Sequence, residues 1–251
     1  MADFLVFQLY APLASWGDIA IGERRGSDDR PSRSALLGLV AGALGIRRDE
    51  EERHRTLSES LCVGVEICVP GRSLADYHTA QAPKGKGPWP TRAAELAGPR
   101  RDLFTVLSRR YYYAEAYWKA ALWAHNGAAD LGAIEAALKA PVYTPYLGRK
   151  ACPPALPLNP RRVAAAGLAD AFAAYPDDAT LSDKLLPPHR RPSRRRIAAD
   201  LDALTEPQAD SLNERRDAFH SRVRWQFVPR TEVQYWRTLE ETEDRDVPQP
   251  G

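Results

Sequence analysis

Asp3-Phe4-Leu5-Val6-Phe7-Gln8-Leu9-Tyr10, followed after a loop by Ser34-Ala35-Leu36-Leu37-Gly38-Leu39-Val40-Ala41-Gly42-Ala43-Leu44-Gly45-Ile46, decides the fold. The first run is short, aromatic and branched, and reads as a buried strand stopped by Pro12. In the second, Leu36, Leu37, Leu39, Val40, Leu44 and Ile46 recur at helical spacing, with Ser32 or Ser34 as cap. Gly38 and Gly42 leave one helix face without bulk, suited to pressing on a sheet, and tertiary packing must hold so glycine-rich a helix. Residues 61–70 alternate, Val63, Val65, Ile67 and Val69 against Cys62, Gly64, Glu66 and Cys68, as a strand does. From Ala80 to Arg110 the periodicity disappears among Pro83, Gly85, Gly87, Pro88, Pro90, Gly98 and Pro99. This stretch carries Lys84, Lys86, Arg92, Arg100, Arg101, Arg109 and Arg110 against Glu95 and Asp102, a net +5. Tyr111–Ala124 reads as one strand or a strand pair, and Ala129–Lys139 as an amphipathic helix on Leu131, Ile134 and Leu138. The expected class is α+β, with a ferredoxin-like β-α-β-β-α-β plan closed by a strand near 141–146. A β-rich part follows, with closing strands over 219–237 and an acidic tail from Glu240 read as mobile.

Composition limits the function classes. With 251 residues, 44% apolar and 27% charged, the chain can bury a core. Lys and Arg total 35 against 33 Asp and Glu, which excludes a uniformly basic binder but leaves room for a local basic groove. No run approaches the roughly 20 apolar residues that span a bilayer. The start, Met1-Ala2-Asp3, carries an acid where a signal peptide carries base, so the expectation is a cytoplasmic protein with no membrane partner. Cys62, Cys68 and Cys152 form no C-x-x-C pair, which argues against a disulfide framework or a zinc site; no metal or cofactor is expected.

Three clusters bear on binding. Arg24, Arg25 and Arg33 surround a helix start, which is either a phosphate site or a capped surface helix with solvated arginines. Tyr143-Thr144-Pro145-Tyr146-Leu147-Gly148-Arg149-Lys150-Ala151-Cys152-Pro153 offers rings for bases and a glycine that lets backbone approach a phosphodiester; the alternative is a proline-rich turn with buried tyrosines. The basic insertion, flanked by Asp76-Tyr77-His78-Thr79 and Tyr111-Tyr112-Tyr113, interleaves cations with aromatics, as single-stranded RNA binding requires, unless it is only a solvated loop. Catalytic motifs are absent: no G-x-S-x-G, no Walker-A loop, no H-E-x-x-H. A metal-free ribonuclease needs a base, an acid and a cation, which His78, Tyr77 and Lys150 could supply, while a lone histidine at a strand end also serves structure.

Together the segments 9–17, 31–46, 76–79 and 143–153 resemble the CasD subunits of type I-E CRISPR Cascade complexes, within the RAMP superfamily. The resemblance implies a RAMP ferredoxin-like domain over 1–158 with a thumb at 80–110, a C-terminal part over 159–239 and a tail over 240–251. It implies a non-catalytic subunit that grips the 5′ handle of the crRNA and caps the filament of backbone subunits. It further implies contact with the large PAM-reading subunit, and with target DNA only through the complex. Metal-independent processing of repeat RNA, known in a relative, is the alternative. Carried over by position, the RNA contacts are Arg33, Ser34, Tyr146, Gly148, Arg149 and Lys150, with Tyr77 and His78 at the thumb root. Charge alone adds Arg24, Arg25, Lys84, Lys86, Arg109 and Arg110. The segment Pro187–Arg196, with five arginines, matches no motif of the family and is open to RNA, DNA or solvent.

Overall fold

A computed structural model describes residues 1–17, 20, 22–125, 127, 129–178, 192–202 and 204–239. Arg190, Arg191 and the 240–251 tail therefore lie outside the described residues. The chain runs β1 (Ala2–Ala14), three two-residue strands β2 (Trp16–Gly17), β3 (Arg24–Arg25) and β4 (Ser27–Asp28), α1 (Arg33–Ala43), α2 (Glu51–Ser60), β5 (Leu61–Val69) and β6 (Arg72–Pro83). It continues with α3 (Arg92–Glu95), β7 (Leu103–Ala124), α4 (Leu131–Lys139), β8 (Arg161–Ala165) and α5 (Leu168–Ala174). Strands β9 (Arg194–Asp200), β10 (Ser211–Ser221) and β11 (Gln226–Thr238) end it. One nine-stranded sheet contains most of this, in the order β10-β11-β9-β5-β7-β1-β8, with β6 and β3 also pairing with β7. The fold is α+β, built on this large sheet. The sheet crosses the 158/159 division, since β8 pairs with β1 and β9 with β5.

Both faces of the sheet are covered. Leu5, Phe7 and Leu9 of β1 pack with α1 and α4, while Phe4 and Val6 pack with α5 on the other side. For the same reason β5 is buried at all nine positions, although its alternation suggested two unlike faces. Pro12 does not stop β1. The ladder skips it opposite Glu115, whose φ is 55°, and resumes at Leu13↔Ala114. Ser32 caps α1 by accepting from Ala35 N at 3.2 Å. The bulkless side at Gly38 faces the Arg222 guanidinium rather than a sheet.

No strand forms at 141–146. Val142 N and Tyr143 N instead donate to the carbonyls of Ala43 and Gly42, finishing α1, and β8 takes the edge beside β1. The expected closing strands over 219–237 form only in part, because residues 222–225 make the turn between β10 and β11.

The face under α5 holds a buried ionic cluster. Glu66 is fully buried and accepts from Arg195 at 3.2 Å and from Arg237 Nε at 2.7 Å. Arg195 also bonds Asp177 at 2.7 Å, and Lys119, 2% exposed, pairs with the same carboxylate at 2.7 Å. Arg195 of the arginine-rich segment is thus a core residue, not one meeting RNA, DNA or solvent; Arg196 pairs with Asp29. Burial alone would raise the Asp177 carboxyl, but the Arg195 hydrogen bond and the Lys119 ammonium hold it at about 2, below its ordinary 3.8. A carboxyl with a depressed folded pKa contributes stability that is present above the unfolded value and lost as the pH falls through the folded one. The melting temperature is therefore expected to fall as the pH drops from about 5 to about 2, and Asp177→Asn to flatten that dependence. An equally steep acid limb in Asp177→Asn would assign it to other carboxylates.

Candidate nucleic-acid interface

Strands β6 and β7 pair from Arg72↔Ala114 to Pro83↔Leu103, forming a two-stranded arm beyond the body of the sheet. Much of the stretch that looked aperiodic is therefore strand. It reads as irregular because, beyond the root at Tyr112, neither arm face is packed into a core, so no hydrophobic alternation marks it. Partners across an antiparallel pair point to the same side, and successive residues to opposite sides.

One arm face carries Tyr77 opposite Arg109 and Ala75 opposite Tyr111. Strand β3 runs parallel alongside, Arg24 opposite Arg109, anchored by Arg109 N donating to Glu23 O at 3.0 Å. Arg24 lies over the Tyr111 ring, 5.3 Å from its centroid, and Arg109 lies over Tyr77 at 5.8 Å. The result is an exposed stripe of alternating guanidinium and phenol. None of these arginines pairs with a carboxylate among the described residues.

The other face carries Asp76 opposite Arg110, His78 opposite Ser108 and Leu74 opposite Tyr112, with Arg25 beside Arg110. Asp76 is hydrogen-bonded to His78. Arg149 lies over the Tyr112 ring at 4.7 Å and donates to Arg25 O at 3.2 Å, and its Nη1 is enclosed without a partner among the described residues. This guanidinium is turned inward, bracing the 143–153 loop against the arm root. Tyr111, the ring under Arg24, was missing from the expected contacts, whereas Tyr112, the ring under Arg149, is 8% exposed and belongs to the core. The run Arg109-Arg110-Tyr111-Tyr112 was the available signal, and it needed the strand assignment to be split between two faces.

The remaining expected residues separate into three groups. Arg33 is withdrawn as an RNA contact, because its side chain is 10% exposed and its donors are taken within the protein. It bonds Asp200 at 3.0 Å, Ser58 Oγ at 2.8 Å, and the carbonyls of Ser58 and Leu61 at 2.6 and 2.9 Å. Its backbone N–H, at the start of α1, donates to Asp217 at 2.8 Å. The expected phosphate site is therefore filled by the protein's own carboxylate, which Arg230 also holds at 2.7 Å. Ser34, half-buried, shares a hydrogen bond with Ser32.

Gly148 serves the loop. Its φ is +83°, and a Cβ there would come 1.7 Å from Ser15 O. The backbone it approaches is that of Ser15, not a phosphodiester; Ser15 N also donates to Leu147 O at 3.1 Å. Gly148→Ala is expected to cost at least about 2 kcal/mol, read by thermal unfolding, because left-handed strain and a backbone clash coincide. A wild-type melting temperature would show that the loop shifts freely.

Tyr146 and Lys150 stay exposed on the same loop, and Lys84 and Lys86 lie at the arm tip, about 20 Å from Tyr77 along the strand. Lys84 is engaged there, donating to Arg101 O at 2.6 Å.

The structure does not assemble the expected catalytic set. Tyr77 and His78 point to opposite faces of the arm, and no hydrogen bond joins either to Lys150 among the described residues. Cys62 meets His125 at 3.6 Å, but burial, then Asp200 and Asp202, push its thiol up to about 12, so it is no nucleophile at neutral pH.

A family model described as CRISPR-associated protein (Cas_Cas5) matches residues 4–232. The chain is 32% identical over 167 residues to the CRISPR system Cascade subunit CasD of Escherichia coli (strain K12), covering 63% of this chain and 70% of that one. Its fold is similar to a chain of a CRISPR RNA-guided surveillance complex, with TM-score 0.64 and 23% identity over 94% of this chain and 90% of that one. A Cas protein crystal structure is similar at TM-score 0.57 and 23% identity, over 94% of each chain. Together these matches show that the chain belongs to the Cas5 family of CRISPR-associated proteins and is a subunit of the CasD type.

Proposed function

We propose that the chain is a non-catalytic subunit of a Cascade CRISPR surveillance complex, gripping the 5′ handle of the crRNA in antiviral defence. The carrying observation is the exposed stripe Arg24–Tyr111–Arg109–Tyr77, which offers cations to phosphates and flat rings to splayed bases. Arg25, Arg110 and Lys150 extend the charge, with His78 and Tyr146 as further rings and Lys84 and Lys86 reaching further along the strand.

The strand order β8-β1-β7-β5, with α1 and α4 packed on one face, supports reading the first part as a ferredoxin-like RAMP domain. In this reading residues 1–158, closed at the sheet edge by β8, form that domain with the arm as its thumb, and the rest of 159–239 extends its sheet. Toward its tip, the arm face bearing His78 becomes apolar, with Phe104 46% and Val106 44% exposed beside Ala80 and Ala82. Such a patch suits docking on a backbone subunit. Capping of the filament, contact with the large subunit and indirect contact with target DNA complete the proposal, in the cytoplasm and without a cofactor. No helix among the described residues is long and apolar enough to cross a membrane.

Incubation of the full chain with labelled repeat RNA in EDTA, run on native and denaturing gels, tests this. The expected result is retarded, uncut RNA. Specific cleavage abolished by His78→Ala would overturn it and make the chain a metal-independent ribonuclease.

A further inference from the structure

The turn between β10 and β11 is no part of the arm. Arg222, Val223, Arg224 and Trp225 form it, closed by Trp225 N donating to Arg222 O at 3.3 Å. Trp225 is 58% exposed and adopts φ 57°, a strained choice for a bulky residue. Phe227 holds its ring edge-on at 5.9 Å. Two guanidiniums converge on this indole, Arg48 at 4.7 Å and Arg222 at 5.0 Å.

Neither guanidinium has a carboxylate partner among the described residues. The nearby Glu51 is spent on the backbone N–H groups of Arg222 and Val223, at 3.1 and 3.3 Å. Burial lowers the Arg222 pKa, Tyr146 opposes that, and Arg48 adds to it. Tyr146, 42% exposed, is near enough to act electrostatically on Arg222. Gly38 makes room for it, since a Cβ there would come 2.6 Å from Arg222 Nη2.

We propose that this turn, with Arg48, is a second site for single-stranded nucleic acid, taking a phosphodiester group on the Arg48 and Arg222 guanidiniums and a nucleotide base against Trp225 and Tyr146. Like charges gathered on an exposed ring are relieved by an anion, and the two exposed rings favour a nucleotide over an acidic peptide, which has no flat face to offer. The site rests on the nucleic-acid reading of the chain, and its strand is either guide RNA or DNA.

The test is fluorescence anisotropy with the full chain, labelled repeat RNA and DNA of the same sequence, over a salt series. Arg48→Gln and Gly38→Ala are each expected to weaken binding about fivefold to tenfold and lower the salt slope by about 0.7. Gly38→Ala moves the Arg222 guanidinium while improving helix propensity, so it should melt no lower than wild type. Trp225→Gly, whose backbone takes φ 57° freely, should likewise melt no lower and bind about tenfold more weakly. A loss confined to RNA assigns the site to the guide, one confined to DNA to a DNA strand, and either supports the proposal. Wild-type affinity and slope on both strands in all three variants would overturn it and leave the turn to a protein partner, provided Arg109→Gln on the arm still weakens binding. If the wild-type chain binds neither strand, the nucleic-acid reading itself fails.

Discussion

Glu66→Gln is expected to lower the unfolding free energy by about 3–5 kcal/mol, and the melting temperature by on the order of 10 °C. The carboxylate is fully buried between Arg195 and Arg237. Removing its charge leaves two guanidiniums facing each other across β9 and β11, with Asp177 still paired to Arg195 among the described residues. A buried pair adds little net stability over an apolar substitute, but stripping one partner strands the other charge away from water. The damage should fall where β9 joins β5, so hydrogen exchange is expected to accelerate first across β9–β11. Denaturant unfolding measures the size of the effect. A loss below about 1 kcal/mol would mean that water reaches the arginines and that the cluster is less sealed than its geometry indicates.

What was legible in the sequence follows from how far each signal reaches. Strand β1 and helix α1 could be read because apolar residues recur within a few positions and Ser32 caps locally. Helix α2 showed no such stripe, since only His54 and Leu57 of its ten residues are buried. The arm was found as a basic insertion but not as strands, because hydrophobic alternation requires a core and the arm beyond its root has none to face. Its strand parity is what separates Tyr77 from His78 and Arg109 from Arg110, so a list of basic residues could not divide the site in two. Arg33 was misread for a different reason. Its carboxylate partners, Asp200 and Asp217, come from 167 and 184 residues downstream, and no local pattern announces them. Charge near a helix start invites a phosphate reading, and only the fold shows that the position is already taken.

That distinction makes the arm the place to test binding. Tyr77→Ala is expected to weaken handle-RNA affinity by about 1–3 kcal/mol, roughly fivefold to 150-fold, if a base stacks on that ring. Arg109→Gln should weaken it too, and additionally lower the slope of log affinity against log salt by about 0.7, the signature of one lost phosphate contact on a single strand. Joined with Arg24→Gln, the slope should fall by about 1.4. All three side chains are exposed, so melting temperatures should stay near wild type. Arg33→Gln provides the contrast. Its donors hold Asp200, Ser58 and Leu61, so it should destabilise the fold and leave the salt slope of the folded fraction unchanged. If instead Arg33→Gln lowered the slope while the arm variants did not, the RNA would lie at the start of α1, and Asp217 would have to give way to a phosphate. The observed geometry opposes this, because the Asp217 carboxylate is held by both Arg230 and the Arg33 amide, and displacing it would leave a buried anion without its partners. Salt slope and melting temperature, read on the same four variants, therefore separate contact with RNA from support of the fold, which basic charge alone could not do.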